Sequence, residues 1–226
     1  MNVHRAVPCI VLLFTAWAVS AGDASAGAWP RGEGETFLSL SYQPDIAGTG
    51  DSNYVSAYYE YGATTKLTIG VDGGYQATNS DAGAVFFARY PIGATDGVNV
   101  FAVELGLGTA MSNGTTVSLV RPGLSWGRGY NLGAVSGWMG VESSYAFKSD
   151  ETSLGKVDTT FGVSHPDGSL SIMQLQFSRP SDADSSFAIA PSYVAKLNDA
   201  VFLEMGASYE AFRGRQGLKI GVWFSY

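Results

Sequence analysis

The groups in this chain that could do chemistry are one histidine and a set of charges placed inside alternating segments. Apart from His4 near the N-terminus, His165 is the single imidazole. As a general base it would need a serine within hydrogen-bond reach. Its neighbour Ser164 does not qualify, because successive residues of an extended chain point to opposite faces. His165 sits with Pro166, Asp167 and Gly168, so it reads as a turn residue, and no catalytic residue is assigned. No cluster has zinc-ligand composition. No glycine-rich loop falls between a strand and a helix, as a phosphate cradle would require. Neither a metal nor a cofactor is expected.

The charges form the larger constellation. The acids are Glu60, Asp72, Glu104, Glu142, Asp158, Glu204 and Glu210, and the bases are Lys66, Arg89, Arg121, Lys156, Lys196 and Lys219. Each falls on the polar side of an alternating segment. Folding the hairpins about their loop centres puts Glu210 opposite Lys219, Asp72 near Arg89, and Glu104 within a diagonal of Arg121. Opposite charges paired this way attract by about 0.2–1 kcal/mol. Together they would either fill an enclosed space with salt bridges or line a charged constriction in a narrow water path. Seven acids against six bases predict no strong ion selectivity.

About twelve segments of period-two alternation must position these groups, starting at Thr36. In the second segment Val55, Ala57, Tyr59 and Tyr61 share a face opposed by Tyr54, Ser56, Tyr58 and Glu60. In the fifth, Phe101, Val103, Leu105 and Leu107 share a face with Glu104 opposite. Each segment is about as long as the ~9–11 residues that a tilted strand needs to cross a bilayer. A mid-strand charge facing lipid is costly, so the polar faces must line a lumen. Open sheet edges cannot face lipid, so the sheet must close. The expected fold is therefore all-β, a closed antiparallel transmembrane β-barrel of about 12 strands over residues 36–226. Ten strands is the alternative, because the segments around Phe86 and Ile189 are less clean. Pro122 and Pro191 fall inside strand patterns and read as bulges or positions near a rim. A soluble sandwich or small soluble barrel would alternate in the same way. Twelve bulky apolar faces, with the two chain ends described next, weigh against it.

Residues 1–26 read as a secretory signal peptide: Arg5, then an apolar core from Val7 to Val19, then Ala24-Ser25-Ala26 before Gly27. Val19-Ser20-Ala21 offers a second acceptable cut. Cys9, the single cysteine, lies in this leader, so the mature chain has no disulfide chemistry. Residues 27–35 read as an irregular periplasmic lead-in. With a net charge of −7, the chain lacks the basic footprint of a nucleic-acid binder.

The last nine residues repeat the alternation and end on an aromatic residue. Leu218, Ile220, Val222, Phe224 and Tyr226 lie on one face, and Lys219, Gly221, Trp223 and Ser225 on the other. This ending resembles the C-terminal signature of bacterial outer-membrane β-barrels. The resemblance implies that Val222, Phe224 and Tyr226 are read by the barrel-assembly machinery and that the chain lies in the outer membrane, against its lipid and lipopolysaccharide. Residues 27–34 are similar to the opening of some small alphaproteobacterial barrels of this kind. Short periplasmic turns and short outer loops are expected, none long enough to plug the lumen.

Tyr61, Tyr75, Tyr90, Trp126, Tyr145, Tyr193 and Tyr209 fit interfacial girdles. The outer-loop acids Asp45, Asp51, Asp81, Asp150, Glu151, Asp182 and Asp184 read as solvated, or as holding divalent cations beside lipopolysaccharide phosphates. The function expected is a narrow, weakly selective channel for small hydrophilic solutes. The alternative is a non-conducting structural or interaction barrel filled by the inward Tyr58, Trp138, Phe202 and Trp223. A lipid-modifying enzyme ranks below both, for want of a His–Ser arrangement.

Overall fold

The computed structural model describes residues 27–44, 53–77, 80–112, 114–133 and 135–226. The leader 1–26, with its two cleavage sites, and the loop acids Asp45 and Asp51 lie outside these residues. Twelve antiparallel strands form one closed barrel in sequence order. They are β1 (Thr36–Gln43), β2 (Tyr54–Gly62), β3 (Thr68–Gln76), β4 (Asp81–Ile92), β5 (Asn99–Ser112) and β6 (Thr115–Leu132), followed by β7 (Val135–Lys148), β8 (Ser153–Ser164), β9 (Leu170–Pro180), β10 (Ser186–Lys196), β11 (Val201–Glu210) and β12 (Arg215–Ser225).

Closure is made by β1 against β12, where Leu38 faces Phe224, Leu40 faces Val222 and Tyr42 faces Ile220. Thr36 and Tyr226 finish the seam by exchanging backbone hydrogen bonds of 2.8 and 3.0 Å. Both ends of the barrel sequence therefore lie at one rim, called here the terminal end. The opposite rim is the far end.

The outward faces carry the apolar alternation. Phe86 is 66% exposed, Leu107 58%, Phe147 57% and Ile220 52%, a density of bare apolar side chains that a soluble monomer does not carry. Tyr61, Tyr90 and Tyr193 ring the terminal end, and Tyr75, Tyr145 and Tyr209 ring the far end, all exposed. Trp126 shares the terminal-end level and donates its Nε1–H to Asn99 at 3.1 Å.

The wall is uneven. β1 has 8 residues and β6 has 18. The stretches Thr109–Thr115 and Arg128–Gly133, which read as connections, are largely strand, with Ser112 paired to Thr115 and Leu132 to Val135. Thr109, Thr115 and Tyr130 are residue types that suit a pleated wall and extend the ladder. Pro122 and Pro191 make no bulge. In each case the pairing to one neighbour lapses and resumes in the same register, with Val120 facing Phe147 and Gly123 facing Ser144 around Pro122, and with Ile189 facing Tyr209 and Ser192 facing Gly206 around Pro191. A proline lacks the ladder donor, and exposure to the outside lets the strand omit that bond without a shift.

The inside is a polar core with two small apolar patches. Val85, Leu119 and Ala146 meet toward the far end. Leu170, Ile172 and Val194 meet toward the terminal end, packed by Trp138, Phe202 and Trp223.

One element departs from expectation. Residues 27–35 do not hang outside the barrel. Ala28 is 1% and Arg31 5% exposed. Gly34 N donates to Gly62 O at 2.9 Å, and Gly62 N donates to Glu35 O at 3.0 Å. The backbone here is irregular because Pro30, Gly32 and Gly34 break any strand, so the segment can turn inward and run up the lumen. The wall makes room with glycine. A side chain at Gly62 would strike the Gly32 carbonyl, and one at Gly127 would strike the Trp29 ring. The expectation that nothing plugs the barrel fails for this reason.

Candidate functional site

The site is the lumen. Its central feature is a chain of ion pairs reaching from the N-terminal segment across five strands, β2 to β6. Arg31 Nη2 bonds Glu60 Oε2 at 2.6 Å, and Arg89 Nη1 bonds Glu60 Oε1 at 2.6 Å. Arg89 Nη2 continues to Glu104 Oε2 at 2.9 Å. Arg121 joins Glu104 at 3.2 Å and Asp72 at 2.7 Å. The register explains part of this. Arg89 faces Glu104 directly across β4 and β5. Glu104 faces Gly123, and Arg121 faces Gly106, so Glu104 and Arg121 meet on the diagonal.

The cluster is buttressed by aromatic groups. Tyr58 donates its hydroxyl to Glu60 Oε1 at 2.6 Å, and Arg89 Nη2 donates to that hydroxyl at 3.1 Å. Phe87 stacks on Tyr58 with centroids 5.7 Å apart, and Arg31 lies over the Phe37 ring at 5.1 Å. Glu60 and Arg89 are each 4% exposed. Buried charges of this kind are tolerated only when paired and hydrogen-bonded, which the arrangement supplies.

A second group stands on β11 and β12. Glu204 accepts from Lys219 Nζ at 3.0 Å and from Trp223 Nε1 at 3.0 Å. A third, on β7 and β8, places Glu142 opposite Asp158. Glu142 Oε1 accepts the Gly27 N–H at 2.8 Å. These groups share a cavity of about 340 Å³, lined also by Ser143, Ser144, Thr160 and Gln174.

Ten of the thirteen charges read from the sequence line this cavity: Glu60, Asp72, Arg89, Glu104, Arg121, Glu142, Lys156, Asp158, Glu204 and Lys219. Three do not. Lys66 lies exposed in the β2–β3 turn, because β3 starts only at Thr68. Lys196 ends β10 at the rim and pairs with Asp199 at 2.8 Å. Glu210 ends β11 at the far end and pairs with Arg215 at 3.1 Å. Two expected pairs are replaced. Glu210 faces Arg215, not Lys219, because the β11–β12 turn is tighter than assumed. Asp72 faces Val85 on β4 and reaches Arg121 instead of Arg89. The functional residue missed in the sequence is Arg31. Its one signal was charge balance, since losing Lys66 and Lys196 from the lumen leaves the acids short of cations.

Val222 and Phe224 lie in the closing ladder, and Tyr226 is 69% exposed beside it. His165 does find a serine, though not Ser164: its Nε2 lies 2.8 Å from Ser171 Oγ, because the turn folds back onto β9. Among the described residues no carboxylate hydrogen-bonds the ring. Asp167 is occupied by Ser169, whose hydroxyl and backbone N–H hold that carboxyl below the usual range. Also among the described residues, Asp81, Asp150, Glu151, Asp182 and Asp184 gather into no metal-holding group.

A closed antiparallel barrel with bare apolar faces outside and paired charges inside is the fold of bacterial outer-membrane β-barrels. Among solved structures the chain is similar to a KdgM porin, with a TM-score of 0.61 and 10% identity over 85% of this chain and 99% of that one. It is also similar to a KdgM porin in complex with disordered oligogalacturonate, with a TM-score of 0.56 and 12% identity over 85% and 99% of the two chains. At such identities the likeness is one of fold. No protein-family model and no curated protein sequence matches the chain.

Proposed function

We propose that this protein is an outer-membrane channel of narrow bore, weakly selective and suited to small hydrophilic solutes, held closed at its terminal end by residues 27–35. The observation that supports this most directly is the cavity of about 340 Å³ walled by charged and hydroxyl groups. Arg31, locked to Glu60, stands in its wall. A lumen meant only to be filled would be walled by apolar side chains at native packing density. Here the clustered apolar side chains form small patches, and rings such as Phe37 and Phe87 stand among the charges.

The porin fold fits this reading, but the oligogalacturonate of the KdgM complex does not carry over. An oligomeric anion calls for a surplus of cations. This cavity sets six carboxylates against five side-chain cations, Arg31, Arg89, Arg121, Lys156 and Lys219.

The test is planar-bilayer conductance of the refolded mature chain and of a chain lacking residues 27–34, under a salt gradient. The full chain should give small or rare steps, and the shortened chain larger and frequent ones. Its reversal potential should stay close to zero. Silence from both, with folding shown by heat-modifiable gel mobility, refutes the channel and supports the second reading. That reading is a non-conducting structural barrel, and the observation that favours it is the Arg31–Glu60–Arg89 contact that ties the N-terminal segment to the wall inside the lumen.

A further inference from the structure

The Gly27 nitrogen is buried in the lumen, 2.8 Å from Glu142 Oε1. We propose that export ends with cleavage between Ala26 and Gly27, and that the new α-ammonium group forms a buried ion pair with Glu142 that anchors the N-terminal segment inside the barrel. The inference rests on the reading of the protein as exported, not on its conducting.

Four observations converge on it. First, Glu142 faces Asp158 directly across β7 and β8, and like charges in that position repel. Asp158 Oδ1 is buried without a hydrogen-bond partner. Second, Glu142 has no side-chain cation bonded to it among the described residues. Arg89 is committed to Glu60 and Glu104, and Lys156, two residues along β8 from Asp158, is exposed.

Third, the cavity holds six carboxylates and five side-chain cations. One ammonium group at Gly27 brings the two counts level, beside an acidic pair to which, among the described residues, no side-chain cation is directly bonded. Fourth, the Gly27 backbone approaches Glu142 and Arg89 closely. A Cβ on Gly27 would lie 2.8 Å from Glu142 Oε2 and 3.1 Å from Arg89 Cζ. Glycine suits this close approach without displacing either side chain, and it is the residue that follows the small-residue pattern Ala24-Ser25-Ala26. The alternative cut after Ala21 would leave five further residues, one of them Asp23, to be housed at an already acidic point.

The covalent step is hydrolysis by a leader endopeptidase with water as co-reactant. The bond from the Ala26 carbonyl carbon to the Gly27 nitrogen breaks. The water oxygen goes to Ala26, which leaves as a carboxylate. The nitrogen gains both water hydrogens, one to replace the broken bond and the other as the proton that makes it an ammonium. A neutral amide donor becomes a cation with no loss of the hydrogen bond already present.

The experiment uses protein extracted from outer membranes, and neither of its readouts involves conductance. N-terminal sequencing and intact mass should show a chain starting at Gly27. A start at Gly22, or an uncleaved chain, overturns the proposal. The folded protein is then treated with an amine-reactive ester, and the Gly27 peptide is followed by mass spectrometry. Gly27 should react at least about tenfold more slowly than in urea, because reaction needs local opening. In Glu142→Gln the protection should fall several-fold while Lys66, exposed in its turn, reacts as before. Full reactivity of Gly27 in the folded native protein overturns the ion pair, whatever the variant does.

Discussion

The Glu60 carboxylate is the joint of the lumen, and replacing it with glutamine tests the whole arrangement. It lies 2.6 Å from Arg31 and 2.6 Å from Arg89, accepts the Tyr58 hydroxyl at 2.6 Å, and is 4% exposed. Glutamine keeps the shape and one acceptor oxygen but removes the charge and turns an amide N–H₂ toward a guanidinium. Breaking a buried ion pair by removing one partner costs about 3–5 kcal/mol, because the other charge is left uncompensated. Arg89 keeps Glu104, so the lower figure applies. With a urea m-value of about 3 kcal/mol/M, a loss of about 3 kcal/mol moves the unfolding midpoint down by about 1 M. The assay is urea unfolding of barrels refolded in lipid vesicles, followed by tryptophan fluorescence. The double variant Arg31→Gln/Glu60→Gln should recover part of the loss, with a coupling of at least about 1 kcal/mol. A midpoint shift under about 0.3 M in a correctly folded Glu60→Gln barrel would refute the reasoning, since an m-value of about 3 kcal/mol/M then leaves less than about 1 kcal/mol for the joint.

Gly127→Leu places a side chain where the Trp29 ring lies; the N-terminal segment should be expelled, and Trp29 should become quenchable by iodide while the barrel stays heat-modifiable. Lys219→Met leaves Glu204, 3% exposed, with Trp223 as its remaining partner among the described residues. The resulting loss should be about 3 kcal/mol by urea titration, and Lys219→Met/Glu204→Gln should restore most of it. Tyr226→Ala should lower the yield of assembled barrel in cells while refolding in vitro stays near normal, as counted by heat-modifiable bands; equal yields would remove the C-terminal residue from the assembly signal. Ser171→Ala should leave lipid-ester hydrolysis by purified protein at background, as it is before the change, because among the described residues no carboxylate is bonded to the His165 ring to orient it.

The barrel was legible because alternation is a local property. Leu218, Ile220, Val222, Phe224 and Tyr226 share a face whatever lies next to them, and twelve such faces with mid-strand charges opposite leave closure as the solution in lipid. Alternation also shows which side of the wall a charge faces, and for this reason ten of the thirteen charges line the cavity. It does not show height along the barrel axis. Lys66, Lys196 and Glu210 lie at ends of the wall because strand limits depend on where each turn tightens. The same ignorance of register misplaced Glu210 by four residues on β12, where its partner is Arg215.

The plug was hidden for a different reason. Residues 27–35 have no period, so nothing in their order says that they run inward. The complementary signal was on the wall. Gly62 and Gly127 stand on lumen faces of β2 and β6 and read as ordinary barrel glycines, yet each leaves a space that the N-terminal segment fills. A vacancy on an inner face is half of a contact, and its other half is an aromatic ring and a backbone far away in sequence. Arg31 follows the same logic in charge. The wall alone carries six cavity carboxylates and four side-chain cations, so the cations that balance it must come from a segment that is not part of the wall. Read this way, the segment's Trp29, Arg31 and Gly27 are each matched to a deficit of space or charge already built into the strands. The segment's place in the lumen is thus a property of barrel and segment together, and loosening either member of a matched pair should release it.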